Sequence, residues 1–290
     1  MESVTMPNYS YVFKFEEDFD NYEKRTWMKD NWMSCFYYIG AYMIVIYCGQ
    51  LYMQTRPRFE LRIPLFIWNV FLALFSIWGA YRSAPELLYV LNKYGFHYSV
   101  CIPGPSFLDN RVGGFWNWMF TLSKVPELGD TVFIVLRKQP LIFLHWYHHV
   151  TVLLYAWYSY SEYIATARWF VCMNYLVHSM MYSYYALKAL KFRVPRWVAM
   201  SITTAQLAQM IMGAAVNIWA YQVKQAGNEC HVSYDNIKVS LLMYISYFVL
   251  FARFFRRAYM VGSKQVGGQQ TKKGQDSLVY EGKMSKGKLE

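Results

Sequence analysis

Three histidines on one helical turn, His145, His148 and His149, form an H-x-x-H-H box in the apolar stretch LIFLHWYHHVTVLLYAWYSY, and His178 lies in the next apolar stretch. Imidazole near neutral pH is a nucleophile, a general base or a metal ligand. Ionisable groups at membrane depth are costly and mark chemistry or a transport path. Packing does not explain four of them, because an apolar residue would fill the same space more cheaply. Asp130 and Glu127, close upstream, could orient a ring and fix its tautomer as the third member of a triad does. Three- and four-residue spacings gather the remaining polar groups onto single helix faces: Lys124 with Glu127 and Asp130, Asn174 with His178, Tyr182 and Tyr185, and Thr203 with Gln206 and Gln209.

The elements that must carry these residues are membrane spans. Hydrophobic residues make up 56% of the 290, aromatic residues 20% and charged residues 16%, well below the roughly 25% charged residues of soluble domains. Apolar runs of about 20 residues, enough to cross about 30 Å of hydrocarbon, fall near 32–52, 64–82, 115–136, 140–160, 167–187, 197–220 and 238–257. The expected fold is therefore an all-α integral membrane protein with seven transmembrane helices. The first span serves as signal anchor, since the first thirty residues lack the short apolar core of a cleavable signal. The organisation follows: a lumenal segment 1–31, a seven-helix domain 32–260, and a tail 261–290 whose Gly, Lys, Gln and Ser cannot bury a core.

Basic residues set the orientation. Arg56, Arg58, Arg62, Arg137, Lys138, Lys188, Lys191, Arg193 and Arg196 fall in the first, third and fifth connections, which are expected in the cytosol. The alternate connections carry only Arg82, Lys93, Arg111, Arg168, Lys224 and Lys238. The N terminus is then lumenal and the C terminus cytosolic. The sequon at Asn8 falls on the lumenal side, where it would be glycosylated. The tail ends Lys286-Gly287-Lys288-Leu289-Glu290, which looks like a di-lysine retrieval signal of the endoplasmic reticulum membrane. Cys101 and Cys230 both face the oxidising side, and a disulfide between them is expected.

Counting along each span at 1.5 Å per residue puts Asp130, Glu127 and Lys124 roughly 9, 14 and 18 Å from the cytosolic ends, the histidine box at roughly 9–15 Å and His178 at roughly 15 Å. Thr203, Gln206 and Gln209 cover roughly 10–20 Å. One shared inward-facing polar layer accounts for all of them. A di-iron site needs more histidines than the six here, two of which, His97 and His231, lie on the other side. One mononuclear metal on His145, His148, His149 or His178 stays geometrically open. Covalent acyl transfer fits better: a cytosol-facing cavity with an apolar interior and a basic mouth at Arg137, Lys138, Lys188, Lys191 and Arg193 suits an anionic head with a greasy tail, such as an acyl-CoA.

Lys124-x-x-Glu127-x-x-Asp130-Thr131, His145-x-x-His148-His149, His178-x-x-Met181-Tyr182-x-Tyr184-Tyr185 and Thr203-x-x-Gln206-x-x-Gln209, in that order, resemble the boxes of the very-long-chain fatty-acid elongase (ELO) family over about residues 32 to 260. The box with Trp146 and Tyr147 inside it is similar to the animal branch acting on saturated and monounsaturated chains. The resemblance implies that helices 2 to 7 form a barrel around a narrow substrate tunnel in the endoplasmic reticulum. It implies condensation of acyl-CoA with malonyl-CoA to 3-oxoacyl-CoA, CoA and carbon dioxide, with no metal or organic cofactor. The implied partners are the lipid bilayer and the reductase, dehydratase and enoyl reductase of the same cycle, with a homo- or hetero-dimer open and no nucleic acid. In a ping-pong route His148 attacks the thioester, and His149 is an equal candidate by spacing. His149 or His178 handles protons or the enolate, and His145, Glu127 and Asp130 position the nucleophile. Lys124, Thr131, Asn174, Tyr182, Tyr185, Thr203, Gln206, Gln209, Arg137, Lys138 and Lys188 bind substrate. A seven-helix receptor would not need these groups at one depth, and a transporter would call for repeat symmetry, which the chain lacks.

Overall fold

A computed structural model of the chain describes residues 9–103 and 110–261; Asn8 and the tail beyond Val261 lie outside the described residues. Among the described residues every regular element is helical and there is no strand. In chain order they are α1 (Lys14–Glu17), α2 (Asn21–Asn31), α3 (Cys35–Gln54), α4 (Arg62–Cys101), α5 (Arg111–Ser123), α6 (Gly129–Leu136), α7 (Phe143–Glu162), α8 (Ala167–Ala189), α9 (Arg196–Gln225) and α10 (Tyr234–Phe255), with 3-10 turns at Trp32–Ser34 and Pro126–Leu128 and a closing π-helical turn at Arg256–Val261.

Among the described residues four stretches are long and apolar enough to cross a membrane: Asn21–Gln54, Arg62–Cys101, Arg196–Gln225 and Tyr234–Met260. Their outer faces present apolar side chains such as Ile44, Leu74 and Leu242, the surface a helix offers to lipid. α7 and α8 have 20 and 23 residues, but histidine and asparagine on their inner faces lower their hydropathy. The expected single span 115–136 is broken. Pro126 lacks a backbone N–H, the chain tightens into the 3-10 turn Pro126–Leu128, and α6 begins only at Gly129.

α4 departs from expectation in the other direction. The apolar run suggests a span ending near residue 82 and a long connection after it, whereas the helix continues through Pro85 to Cys101 over 40 residues. Gly95, at φ +81°, bends it where only glycine is comfortable. Two buried ion pairs hold this extension. Arg82 Nε donates to Glu16 Oε1 over 2.8 Å, and Arg168 lies 3.4 Å from Glu86 while donating to the carbonyls of Ser99, Ile102 and Pro103. Two of the few basic residues on this side of the molecule are thus interior struts. Gly79 lets α4 meet α8 closely: a Cβ there would stand 2.4 Å from the Tyr175 ring.

The ends of the bundle differ in chemistry. At one, Phe59 N–H donates to Leu136 O, Lys138 Nζ to Gln54 O, and Arg62 caps the last carbonyls of α8 at Ala189 and Leu190. At the other, Cys101 and Cys230 are joined by a disulfide, and the backbone of His231 bonds to Cys101 O and Ala165 N–H. The connections expected in the cytosol therefore share the basic end.

Glu16 is fully buried. Burial pushes its carboxyl upward, but hydrogen bonds from Arg82, the Phe13 N–H and Trp116, with the charge of Arg82, outweigh this and hold it below its ordinary 4.5. A depressed folded-state pKa stabilises at pH above the ordinary carboxylate range, and the contribution disappears as pH falls through the folded value. Glu16→Gln, which leaves Arg82 unpaired, should cost about 3–5 kcal/mol at pH 7. Its thermal midpoint in detergent should also fall less than that of the wild type on acidification; equal acid sensitivity would contradict this account.

Candidate active site

Helix breaks and close crossings bring the polar layer together in two bonded groups, with the half-buried imidazole of His148 apart from both. The first group is built on the kink after α5. Lys124 and Glu127 are almost wholly buried and paired at 2.7 Å, and Ser123 Oγ donates to the same Glu127 oxygen over 2.9 Å. Lys124 Nζ also donates to Asn174 Oδ1 over 3.2 Å. That turns the Asn174 amide nitrogen toward His178 Nε2, 3.2 Å away. His178 Nε2 therefore accepts, its proton sits on Nδ1, and Nδ1 faces Glu127 Oε2 at 3.9 Å.

The second group centres on Asp130. Its two oxygens accept from Trp68 Nε1 over 2.6 Å and from Tyr182 OH over 2.8 Å, and His149 Nε2 stands 4.0 Å away. Thr131, fully buried, bridges His145 Nε2 at 2.9 Å and Tyr42 OH at 2.7 Å. The rings of His145 and His149 lie 4.5 Å apart.

His148 stands apart from both groups. Its ring lies 4.7 Å from that of Tyr247, whose hydroxyl bonds to Thr151 Oγ1 and the His148 carbonyl, and its Nδ1 has no hydrogen-bond partner. It heads a narrow cavity of about 650 Å³ of empty space, counting what opens to the outside. Along α7 the cavity is lined by His148, Val152, Tyr155, Ala156, Ser159, Tyr160 and Tyr163, a spacing that keeps to one helix face. Asn174 and Gln209 reach the wall near the polar layer, and Phe120, Phe170, Met210, Met243 and Tyr244 are among the remaining lining residues.

Of the residues singled out in the sequence, His145, His148, His149, His178, Asp130, Glu127, Lys124, Thr131, Asn174 and Tyr182 converge in this layer. Lys124, Thr131 and Tyr182 are buried and bonded within the protein, not on the cavity wall. Gln206 contacts Met181 Sδ at 3.5 Å, Thr203 bonds back to Ala199 O, and Tyr185 packs with Leu72, Ala73 and Tyr182. Arg137 is half-buried, and Lys138 and Lys188 are exposed at the basic end. Sequence reasoning missed Tyr42, Trp68, Ser123, Thr151 and Tyr247. Tyr42 and Trp68 belong to aromatic-rich spans where nothing in the pattern separates a hydrogen-bonding ring from a lipid-facing one.

The arrangement supplies one unencumbered imidazole at the mouth of an apolar channel, with a second imidazole of fixed tautomer and two carboxylates behind it. That is equipment for nucleophilic attack on a carbonyl attached to a long apolar chain.

Residues 27–267 match the family model described as ELO: GNS1/SUR4 family. The chain is 58% identical over 282 residues to Very long chain fatty acid elongase 6 of Drosophila melanogaster, covering 96% of this chain and 87% of that one. It is 50% identical over 248 residues to Very long chain fatty acid elongase 6 of Homo sapiens, covering 86% and 92%. It is 47% identical over 257 residues to Putative fatty acid elongase 3 of Caenorhabditis elegans, covering 88% and 79%.

Lys124→Met should lower stability by about 3–5 kcal/mol, since it strands Glu127 in the interior. Adding Glu127→Leu should restore much of the loss, measured as thermal midpoint in detergent. A double variant no more stable than the single would show that the pair is not what the site rests on.

Proposed function

Because the chain belongs to the ELO (GNS1/SUR4) family of fatty-acid elongases, we propose that it is the condensing acyltransferase of fatty-acid elongation, joining a long-chain saturated or monounsaturated acyl-CoA to malonyl-CoA. The observation that carries the reading is His148: alone among the four imidazoles of the layer it lines the apolar cavity, so a thioester at its edge has its alkyl chain already directed into an apolar channel.

The reaction is ping-pong. His148 attacks the acyl thioester carbonyl, the carbon–sulfur bond breaks, and CoA leaves as thiol after taking up the imidazole proton. Malonyl-CoA then loses carbon dioxide to give an enolate, whose carbon attacks the acyl-imidazole; the carbon–nitrogen bond breaks, the departing imidazole takes up one proton from solvent to restore neutral His148, and 3-oxoacyl-CoA leaves. His178, held by Asn174 with its proton on Nδ1, and His149, facing Asp130, are the groups to stabilise the enolate and move protons. Tyr42 and Thr131 hold the His145 ring. Gln209 and Asn174 bind the thioester or malonyl carboxylate, and Arg137, Lys138 and Lys188 at the basic end receive the CoA phosphates. The residues of the layer carry these steps without a metal or organic cofactor.

In the same reading the three helical units 111–136, 143–162 and 167–189 complete seven spans in the endoplasmic reticulum membrane, and helices 2 to 7 close a barrel around the tunnel. The basic end faces the cytosol and the disulfide end the lumen. Residues 1–31 are lumenal, 32–260 are the catalytic domain, and the tail from 261 lies in the cytosol. The reductase, dehydratase and enoyl reductase that consume the product act in the same membrane.

Purified protein given labelled palmitoyl-CoA without malonyl-CoA should release one CoA per site and retain an acyl adduct. His148→Ala should abolish both and lower condensation by at least about 10³-fold. CoA release that strictly requires malonyl-CoA would sink the covalent route, and no 3-oxoacyl product with both substrates would sink the function itself.

A further inference from the structure

The far end of the cavity is polar, which an alkyl chain does not need. The α5–α6 segment and α7 run antiparallel and keep one register: Asp130 of α6 faces His149, Trp157 Nε1 donates to Thr121 O over 3.2 Å, and the Trp118 and Tyr160 rings meet tilted at 5.3 Å. Asn117 is accordingly level with the last turn of α7, about 12–13 residues or roughly 18–20 Å beyond His148. It is 6% exposed and lines the cavity. Its backbone carbonyl accepts from Thr121, but its carboxamide has no hydrogen-bond partner among the described residues. The Tyr160 hydroxyl on the same wall is likewise without a partner. Beyond them the wall is Tyr163, with Arg25 over its ring at 4.8 Å, and Ile164, which packs in one cluster with Cys101 and Cys230 while the next residue, Ala165, donates its N–H to His231 O.

An extended alkyl chain, with bonds of about 1.5 Å in a zigzag, advances roughly 1.25 Å per bond, so about 14–16 bonds span the distance from His148 to Asn117. A chain of about 16 carbons then ends at the carboxamide. A longer one must lay methylenes against it and strand its donor and acceptor in a dry site. Resting on the acyl-CoA reading of the cavity, we propose that Asn117 and the Tyr160 hydroxyl form a polar end-plate that limits unsubstituted acyl chains to about 16 carbons by desolvation rather than by steric closure, and that this end-plate is a binding subsite for acyl chains carrying a hydroxyl at the methyl end.

Asn117→Leu keeps the volume and removes the polarity, so it separates the two kinds of stop. kcat/KM is measured for the full-length protein with malonyl-CoA and acyl-CoAs of 14, 16, 18 and 20 carbons, and with the 18-carbon chain bearing a terminal hydroxyl. The wild type should fall about ten-fold or more between 16 and 18 carbons, and the terminal hydroxyl should restore most of that fall. Asn117→Leu should raise the unsubstituted 18-carbon chain about ten-fold, erase the advantage of the hydroxyl, and leave the 14-carbon chain within about two-fold. Tyr160→Phe, which deletes one oxygen, should move the same ratios in the same direction by less. Unchanged ratios in both variants, or no gain from the terminal hydroxyl in the wild type, would overturn the end-plate. Failure of the wild type to elongate every chain would instead strike the acyl-CoA reading, and the end-plate with it.

Discussion

A lysine and a glutamate that are both about 95% or more buried can persist only as a pair, and the Lys124–Glu127 contact at 2.7 Å is the constraint on which the rest of the site depends. The desolvation of either ion alone would amount to several kcal/mol. The pair needs both side chains pointing the same way, which the break at Pro126 provides by converting one turn to 3-10 geometry. Its consequences spread through hydrogen-bond directionality. With Lys124 holding the Asn174 oxygen, Asn174 has only donors left for His178, and His178 has only one nitrogen left for its proton. A charge pair buried in one broken helix therefore sets the protonation pattern of an imidazole two helices away.

The opposite end of the bundle has a different problem, which is to be closed. Glu16–Arg82 and Glu86–Arg168 are buried pairs of the same kind, but they fasten connections instead of a reactive group. The first draws the segment before α2 onto α4. The second ties the far end of α4 to the start of α8, where Arg168 also satisfies the carbonyls left open past the Gly95 bend. α2 then lays Met28 against the Leu153, Trp157 and Tyr160 cluster of α7. Buried ion pairs thus fasten one end of the bundle, and bonds from Arg62 and Lys138 to backbone carbonyls fasten the other.

The sequence makes the chemistry more legible than the scaffold. The three histidines of the box, Lys124-x-x-Glu127-x-x-Asp130 and Asn174-x-x-x-His178 obey helical spacing, and their cost in an apolar span leaves few alternatives to convergence. Which partner each would take was not legible, since Tyr42 differs from lipid-facing Tyr37 and Tyr47 only in its burial, a property of how α3 rotates against α6. Hydropathy failed where the site's polar residues are densest: they lower the apolar signal of α5 to α8, so among the described residues four stretches stand out. The extent of α4 was hidden by Pro85, usually a stop signal, which here lies inside a helix held by tertiary ion pairs.

His148 and His149 both have an Nδ1 without a hydrogen-bond partner, but His149 has a carboxylate, Asp130, 4.0 Å from its other nitrogen. The cost of a buried unpaired polar atom is about 1–3 kcal/mol, and among the described residues the carboxylates of the layer face His149 and His178, not His148. The effect is an imidazole whose proton is not committed to a carboxylate and whose ring is steered by packing against Tyr247 and Phe251. In the acyl-transfer route proposed for it, a ring that alternates between free base and acylated amide gains from this, because a fixed ion-pair partner would favour its cationic form, the one state in which it cannot attack. Placing the carboxylates behind His149 and His178 keeps their charge near His148 without pairing it to that ring.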